Sequence, residues 1–161
     1  LLRTFLRQFR DPAQALEELN RQMSSVERSE EFISLVVLVF DTEAETMRYA
    51  SAGHPATFLW HEREVRPLRS TGPLLMLDPD GSYFSREVPL ARDDMAVMYT
   101  DGLTEARNGD DQFGEERVGD AVRRNPGISP GVLCKQLLDA ANDFSLGAVQ
   151  DDLAILAIRK L

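Results

Sequence analysis

Three short apolar runs constrain the fold of this chain more than any other feature of its sequence. They are Phe32 to Phe40, which is almost wholly apolar and rich in β-branched residues, Met95 to Tyr99, and Leu153 to Ile158. Such runs are typical of strands that are buried on both faces of a sheet, so we predict three buried strands. The longest strongly apolar stretch, Leu35 to Phe40, is far shorter than the roughly 20 residues that span a bilayer, and we expect no membrane partner.

Helices and shorter strands are predicted around these runs. Helical spacing of apolar residues predicts four helices: Leu1 to Phe9, a segment that begins at Asp11-Pro12 and ends near Val26, Phe113 to Arg124, and a segment that begins at Ser129-Pro130. Shorter strand-like segments are Met47 to Ala50, Thr57 to Trp60, Val65 to Leu68 and Tyr83 to Leu90, with His61 at a hairpin tip. Ser70 to Gly81 is predicted to be a long loop with few apolar anchors. This order of elements indicates an α+β fold with a largely antiparallel sheet.

The charge balance and the cysteine count exclude several classes of function. The chain has 27 acidic and 18 basic residues and a formal net charge of -9, so it repels phosphate backbones and is not expected to bind nucleic acid. Anionic membrane surfaces repel it for the same reason. Cys134 is the single cysteine. It excludes a disulfide within the chain and a cysteine-rich zinc site, and it fits a reducing cytoplasm, where we expect the protein to reside.

Acidic residues stand at the ends of two of the predicted buried strands. Asp101 follows the strand Met95 to Tyr99, and Asp151 and Asp152 come directly before Leu153 to Ile158. If these strands are antiparallel neighbours, the carboxylates lie at the same end of the strand pair. There they repel one another unless a cation lies between them. Carboxylate oxygens suit hard cations such as Mg²⁺ and Mn²⁺. On spacing alone, a structural interpretation is more common than a metal site. In it, Asp101-Gly102 is an ordinary turn, and Asp151-Asp152 is an ordinary cap at the start of a strand.

Four segments, in order, resemble sequence motifs of one bacterial enzyme family. Tyr49 to Pro55 (YASAGHP) resembles YANAGHP, Tyr99 to Asn108 (YTDGLTEARN) resembles YTDG-x-x-EARN, Phe113 to Arg117 (FGEER) resembles FG-x-ER, and Asp151 to Ala154 (DDLA) resembles DD-I-T. The family is the SpoIIE-like (RsbU-type) branch of the PPM metal-dependent protein serine/threonine phosphatases. Because the four segments extend over nearly the whole chain, the resemblance is specific, and it favours the metal-site interpretation of the acidic residues.

The resemblance implies a fold, a cofactor and a set of metal ligands. The family fold is a sandwich of two mainly antiparallel sheets flanked by helices, and its site holds two or more Mn²⁺ or Mg²⁺ ions. By correspondence of residues, Asp101 is expected to be a metal ligand and Asp151 a second one, with Asp152 the alternative for that role. The metals of the family activate a water that attacks phosphorus in line. The resemblance therefore implies no catalytic side chain, and it leaves the substrate-binding residues open.

One segment of the family has no counterpart in this sequence. The family carries an earlier metal-binding segment with a G-D-V-x-G-H-G turn, whereas the Gly-His pair here, Gly53-His54, belongs to the AGHP segment. We therefore expect residues 1–161 to form the C-terminal two-thirds of a single SpoIIE-like phosphatase domain that is incomplete at its N-terminus. Such a domain exposes a sheet edge and apolar surface, which a homodimer could cover.

Three functions remain open at this point. The resemblance implies a phosphatase for a phosphorylated STAS-domain protein, an anti-anti-sigma factor, in bacterial partner-switching signalling under an upstream sensor or regulatory domain. The chain alone is expected to be poorly active, because half of the family's ligand set is missing. The first alternative is a pseudophosphatase or interaction domain, which Ala154 in place of the usual Thr favours. The second alternative is a simple module that binds a divalent cation.

Overall fold

The structure is a computed structural model that describes residues 1–26, 31–147 and 152–161, with Val26 described in its backbone alone. It divides into two compact units, one formed by Leu1–His54 and Arg69–Leu90 and the other by Pro55–Leu68 and Ala91–Leu161. Each unit has its own cluster of buried apolar side chains. Among the described residues, no helix combines the length and the apolar character that crossing a membrane requires. The assignment of residues 1–161 to a single domain stays a prediction.

The helices and strands follow the predicted order. The described helices are α1 (Leu2–Gln8), α2 (Pro12–Val26), α3 (Asp101–Thr104), α4 (Gly114–Arg124) and α5 (Pro130–Phe144). The described strands are β1 (Leu35–Asp41), β2 (Thr46–Ala52), β3 (Thr57–His61), β4 (Glu64–Leu68), β5 (Arg86–Pro89), β6 (Met95–Tyr99), β7 (Arg107–Asn108), β8 (Asp111–Gln112) and β9 (Ile155–Arg159). The four predicted helices are confirmed, and the short helix α3 is an addition to them.

In the first unit, an antiparallel three-stranded sheet has the order β1-β2-β5. Helix α2 packs on this sheet because its apolar residues recur at helical spacing on one side. Leu16 and Leu19, three residues apart on that side, join Val37 of β1 and Ala50 of β2 in the buried cluster of the unit. The burial of this stripe explains why the sequence forms a helix here.

Strand β1 corrects the prediction that Phe32 to Phe40 is a central strand buried on both faces. The strand begins at Leu35 and lies at an edge of the described sheet, and of its seven residues Val37 alone is buried. Phe32, which precedes the strand, is 51% exposed. The central position belongs to β2, which is less apolar but more buried. Apolar composition reports burial in general and does not encode which strand pairs on both sides.

The segment Ser70 to Gly81 is irregular, as predicted, but the expectation of few anchors is wrong. Leu75 is 1% exposed and belongs to the buried cluster of the first unit. The buried Thr71 accepts a hydrogen bond at its hydroxyl oxygen from the backbone N–H of Ser51, at 2.9 Å. Asn20 of α2 accepts another from the backbone of the same segment, at 2.8 Å. These partners lie far apart along the chain, so no local pattern in the sequence reveals them.

In the second unit, an antiparallel four-stranded sheet has the order β4-β3-β6-β9. Strand β6 lies inside this sheet, and Met95, Ala96 and Val97 are at most 1% exposed, which confirms the predicted buried strand. Val118 of α4 and Leu133 of α5 belong to the same buried cluster as Met95 and Val97 of β6. The two helices thus supply the apolar surface against which β6 is buried.

Strand β9 satisfies one expectation and corrects another. It pairs antiparallel with β6, with Ile155 opposite Tyr99, so the two acid-bearing strands are the antiparallel neighbours that the site prediction required. The expectation that Leu153 to Ile158 is a buried strand is wrong, because β9 lies at an edge of the described sheet and Leu156 is 55% exposed. The α+β class and the antiparallel sheets are confirmed.

Candidate functional site

Asp101 stands where β6 ends and the short helix α3 begins. The next residues, Gly102 and Leu103, are buried, and Leu103 belongs to the apolar cluster of the second unit. This anchoring fixes the backbone at Asp101, while the aspartate itself remains exposed. Its Oδ1 accepts a hydrogen bond from the N–H of Gly102 at 3.1 Å. The segment therefore holds an exposed carboxylate on a backbone that the core keeps in place.

Asp152 lies at the same end of the β6–β9 pair as Asp101. The last residue pair of the ladder joins Tyr99 to Ile155, and beyond it the N–H of Thr100 donates to the carbonyl of Ala154 at 3.0 Å. Asp152 is exposed and lies three positions before Ile155, the first residue of β9. The predicted juxtaposition therefore holds for Asp101 and Asp152, whereas their role as metal ligands stays a prediction.

Asp151, the second predicted metal ligand, lies outside the described residues. The choice between it and Asp152 as a ligand therefore stays open.

Thr100 is a residue of this region that the sequence analysis missed. Its hydroxyl donates a hydrogen bond to the carbonyl of Asp152 at 2.9 Å and accepts one from the N–H of Ala154 at 2.9 Å. Thr100 thus bonds directly to the backbone segment that carries the second candidate ligand. The signal in the sequence was its position between a buried strand and a candidate ligand, but the bonding depends on the pairing of β6 with β9.

The carboxylate oxygens at this end of the β6–β9 pair are of the type that binds hard cations. Asp101 and Asp152 present exposed carboxylates, and Mg²⁺ and Mn²⁺ prefer oxygen ligands. Two carboxylates supply only part of a coordination sphere. Within the part of the chain that the structure describes, no three His, Cys, Asp or Glu side chains are grouped so that they could hold a metal ion.

The segment that follows α3 is closed by a short hairpin and an arginine. Strands β7 and β8 pair with each other, and the N–H of Phe113 donates to the carbonyl of Ala106 at 2.9 Å. Arg117 of α4 donates through Nη1 to the carbonyls of Gln112 and Phe113, at 3.0 and 2.7 Å. Its guanidinium also lies 4.6 Å from the ring centroid of Phe144 on α5. This part of the FG-x-ER segment therefore fastens the hairpin to the two helices.

The AGHP segment bends the backbone at Gly53, which lies in the first unit. Gly53 has a φ of +60°, and a Cβ at this position would lie 2.5 Å from Cδ2 of Leu74, so only glycine fits without a shift. The N–H of Gly53 donates to the hydroxyl of Ser70 at 2.8 Å. Nδ1 of His54 lies 3.1 Å from the hydroxyl of Ser34. The glycine in this motif thus has a steric reason that is independent of chemistry.

A second feature that the sequence analysis missed is a buried histidine–aspartate pair in the second unit. His61, predicted at a hairpin tip, is 3% exposed, and its Nδ1 lies 2.6 Å from Oδ2 of Asp94. The turn itself falls on Glu62 and Arg63, which have φ values of 49° and 69°. Asp94 precedes β6 whereas Asp101 follows it, so the pair marks the opposite end of that strand from the candidate site.

Comparison with known proteins identifies similar families and sequences. A family model described as Stage II sporulation protein E (SpoIIE) matches residues 1–161. Phosphoserine phosphatase RsbU of Bacillus subtilis is 23% identical over 151 residues, which are 92% of this chain and 45% of that protein. Protein IcfG of Synechocystis is 28% identical over 132 residues, which are 79% of this chain and 20% of that protein. The chain thus spans less than half of the length of either relative.

Solved structures of phosphatase domains share the fold. The SiaA-PP2C domain of Pseudomonas aeruginosa has a TM-score of 0.81 at 22% identity, over 93% of this chain and 61% of that one. The PP2C phosphatase domain of SpoIIE from Bacillus subtilis, solved with a fragment of its regulatory domain, has a TM-score of 0.80 at 15% identity, over 98% and 47%. The RsbU and RsbW domains of Rv1364c from Mycobacterium tuberculosis give 0.79 at 25% identity, over 99% and 45%.

Proposed function

The chain belongs to the SpoIIE family of PP2C-type (PPM) phosphatases, and on that basis we propose that it works as the metal-dependent catalytic region of a protein serine/threonine phosphatase. The observation that carries the proposal is the position of Asp101 and Asp152 at the same end of the β6–β9 pair, with both residues exposed. Exposed carboxylates are the kind of ligand through which proteins bind Mg²⁺, which fills its other positions with water and substrate phosphate oxygens.

In this proposal Asp101 is one ligand of a divalent cation, and Asp151 or Asp152 is another. The cation would supply a nucleophilic water near neutral pH and charge neutralisation for hydrolysis of a phosphate monoester. The chain's own contribution is to hold the carboxylates in place, through the buried Leu103 on one side and the bonds to Thr100 on the other. Mn²⁺ and Mg²⁺ are the proposed ions; structures of SpoIIE presoaked with Mn and of RsbX with magnesium support the choice.

The proposed substrate is a phosphoserine or phosphothreonine in a STAS-domain protein of a partner-switching circuit. Two similarities support it: RsbU is a phosphoserine phosphatase, and the mycobacterial structure contains RsbU and RsbW domains together. An upstream sensor or regulatory domain is proposed as the source of control, in line with the regulatory domain of SpoIIE. A homodimer and a cytoplasmic location complete the proposal.

A pseudophosphatase or interaction domain is the second candidate function. It is favoured by the small number of acidic ligands, since the described residues contain no group of three that could hold a metal. Ala154, which stands where the family has Thr, adds less support than its sequence position suggested. Its backbone N–H makes the hydrogen bond to Thr100, and this bond does not depend on the side chain.

Hydrolysis by the full-length protein with Mn²⁺ tests the first proposal, with p-nitrophenyl phosphate and a phosphorylated STAS-domain protein as substrates. We expect Asp101→Asn to reduce the rate by about 100-fold, the order of magnitude for loss of one strong electrostatic contributor. Asp110→Asn is the matched control, because Asp110 is an exposed acid in the turn between β7 and β8. The 161-residue chain alone is expected to give little or no turnover.

Two outcomes would contradict the proposal in different ways. Near wild-type turnover of full-length Asp101→Asn would remove this residue from the mechanism. A wild-type protein that binds the STAS-domain partner but hydrolyses neither substrate at saturating Mn²⁺ would favour the interaction domain.

A further inference from the structure

We infer that Thr100 is a positioning residue that holds the two carboxylate-bearing segments of the candidate site in one fixed arrangement. The inference rests on the proposed function, because it concerns the same site. Thr100 is half-buried and lies directly before Asp101 in the chain. Through its side chain it bonds to the segment that begins with Asp152, 52 residues away.

Three hydrogen bonds join Thr100 to that segment. Its backbone N–H donates to the carbonyl of Ala154 at 3.0 Å, its hydroxyl donates to the carbonyl of Asp152 at 2.9 Å, and its hydroxyl oxygen accepts from the N–H of Ala154 at 2.9 Å. A hydroxyl has one proton to donate, and here that proton goes to the residue that carries the candidate ligand. The side chain therefore fixes both the position and the peptide orientation of the segment.

The local alternative for this side chain is helix capping, and it is not taken. Thr100 is the N-cap residue of α3, a position at which threonine commonly bonds to an N–H of the first turn. In this structure the cap makes no such side-chain bond, and the hydroxyl points to the neighbouring strand segment instead. The Thr100 side chain therefore links the start of α3 to residues 152–154, which are far from it in the sequence.

The segment needs this link because it lacks regular structure of its own. Residues 152–154 precede β9 and are not part of its ladder, and Asp152 and Ala154 are exposed. Without the hydroxyl of Thr100, one of the three hydrogen bonds between Thr100 and these residues would remain, namely the backbone bond from its N–H to the carbonyl of Ala154. Loss of a group that orients a metal ligand typically lowers metal affinity or activity by about 10- to 100-fold. Thr100 is thus expected to set the position of the Asp152 backbone relative to Asp101.

Replacing the hydroxyl while keeping the shape of the side chain tests the inference in the full-length protein. Thr100→Val removes both side-chain bonds, Thr100→Ser keeps a hydroxyl, and Thr100→Ala is a second deletion that introduces no bulk. The matched control is Thr57→Val in the same sheet, because the hydroxyl of Thr57 is buried and has no hydrogen-bond partner among the described residues. Far-UV circular dichroism checks that each variant is folded.

Three measurements follow on each variant: Mn²⁺ affinity by calorimetry on the metal-free protein, amide exchange at Ala154, and kcat and KM separately. We expect Thr100→Val and Thr100→Ala to weaken Mn²⁺ binding by about 10-fold or more and to speed exchange at Ala154. We expect kcat to fall with KM nearly unchanged, Thr100→Ser to recover most of the Mn²⁺ affinity, and Thr57→Val to bind Mn²⁺ like the wild type.

The outcomes separate this inference from the proposed function. Suppose that the wild type binds Mn²⁺ and hydrolyses its substrate, and that the Mn²⁺ affinity of Thr100→Val is within about twofold of the wild-type value. This loss is well below that expected for an orienting partner. The positioning role is then overturned, and the phosphatase proposal stands. Equal weakening by Thr57→Val would also overturn it, because the effect would then be a general one. A wild-type protein that neither binds Mn²⁺ nor hydrolyses phosphate would overturn both.

Discussion

The buried pair of His61 and Asp94 offers a sharp test of what stabilises the second unit. Oδ2 of Asp94 accepts hydrogen bonds from Nδ1 of His61 and from the N–H of Ala91, both at 2.6 Å. His61 and Asp94 are only 3% and 4% exposed, so water cannot replace the lost acceptor. A buried donor left without an acceptor costs about 1–3 kcal/mol, and the second bond adds about 1 kcal/mol. We therefore expect Asp94→Ala to lower the free energy of unfolding by about 3 kcal/mol.

Urea unfolding measures this change. The fluorescence of Trp60, the single tryptophan of the chain and the neighbour of His61 on β3, reports on this unit. Glu62→Gln is the control, because the Glu62 carboxylate is 3.5 Å from Nε2 of the same histidine but 70% exposed. An exposed carboxylate contributes about 0–1 kcal/mol through its charge interactions. A loss below about 1 kcal/mol for Asp94→Ala would refute the reasoning.

A double variant separates the pair from simple loss of packing. Adding His61→Leu to Asp94→Ala removes the donor that the first change left unsatisfied, so part of the lost stability should return. The coupling energy between the two substitutions is expected to be at least about 1 kcal/mol, as for residues in direct contact. Purely additive losses would mean that the pair contributes no specific stabilisation.

Two further predictions concern the first unit. Gly53→Ala should lower the free energy of unfolding by about 1–2 kcal/mol, because Gly53 has a φ of +60° and the new Cβ would meet Leu74. Gly131→Ala is the control in the same denaturation assay. Gly131 lies in α5, and a Cβ added there has no atom within 4 Å, so this substitution should not destabilise the protein. Burial, followed by two nearby carboxylates, raises the pKa of Tyr83 from 10.0 to about 12. Above pH 10 the unfolded chain therefore loses this proton first, so the free energy of unfolding should fall between pH 10 and 12, and Tyr83→Phe should flatten that decline. An equally steep decline in Tyr83→Phe would assign the pH dependence to other groups.

Most helices and one buried strand of this protein could be predicted from neighbouring residues alone. Asp11 and Pro12 mark the start of α2, and apolar residues at helical spacing give α4 and α5 their buried sides. The compact run of β6 predicted a buried strand, and the structure contains one there. These features could be predicted because capping, helical periodicity and short apolar runs depend on residues that are near one another in the chain.

The order of the strands in the sheets could not be predicted, because it depends on pairing between distant segments. Phe32 to Phe40 and Leu153 to Ile158 have the composition of buried strands, yet β1 and β9 lie at edges of the described sheets. The small and polar residues of β2 occupy a central position instead, where the buried Ser51 bonds to Thr71. Composition records how apolar a segment is, whereas its place in a sheet depends on which other segments offer it hydrogen bonds.

For the candidate site, the position in the fold could be predicted, whereas the contacts that hold it could not. Its location could be predicted, because Asp101 and Asp152 adjoin strands whose antiparallel pairing brings their ends together. The bonds that hold the site could not, because the hydroxyl of Thr100 meets Asp152 only after β6 and β9 have paired. A hydrogen bond between residues 52 positions apart leaves no trace in local sequence. The sequence therefore indicated the candidate ligands, whose role stays a prediction, and the pairing of β6 with β9 fixed which neighbours bond to them.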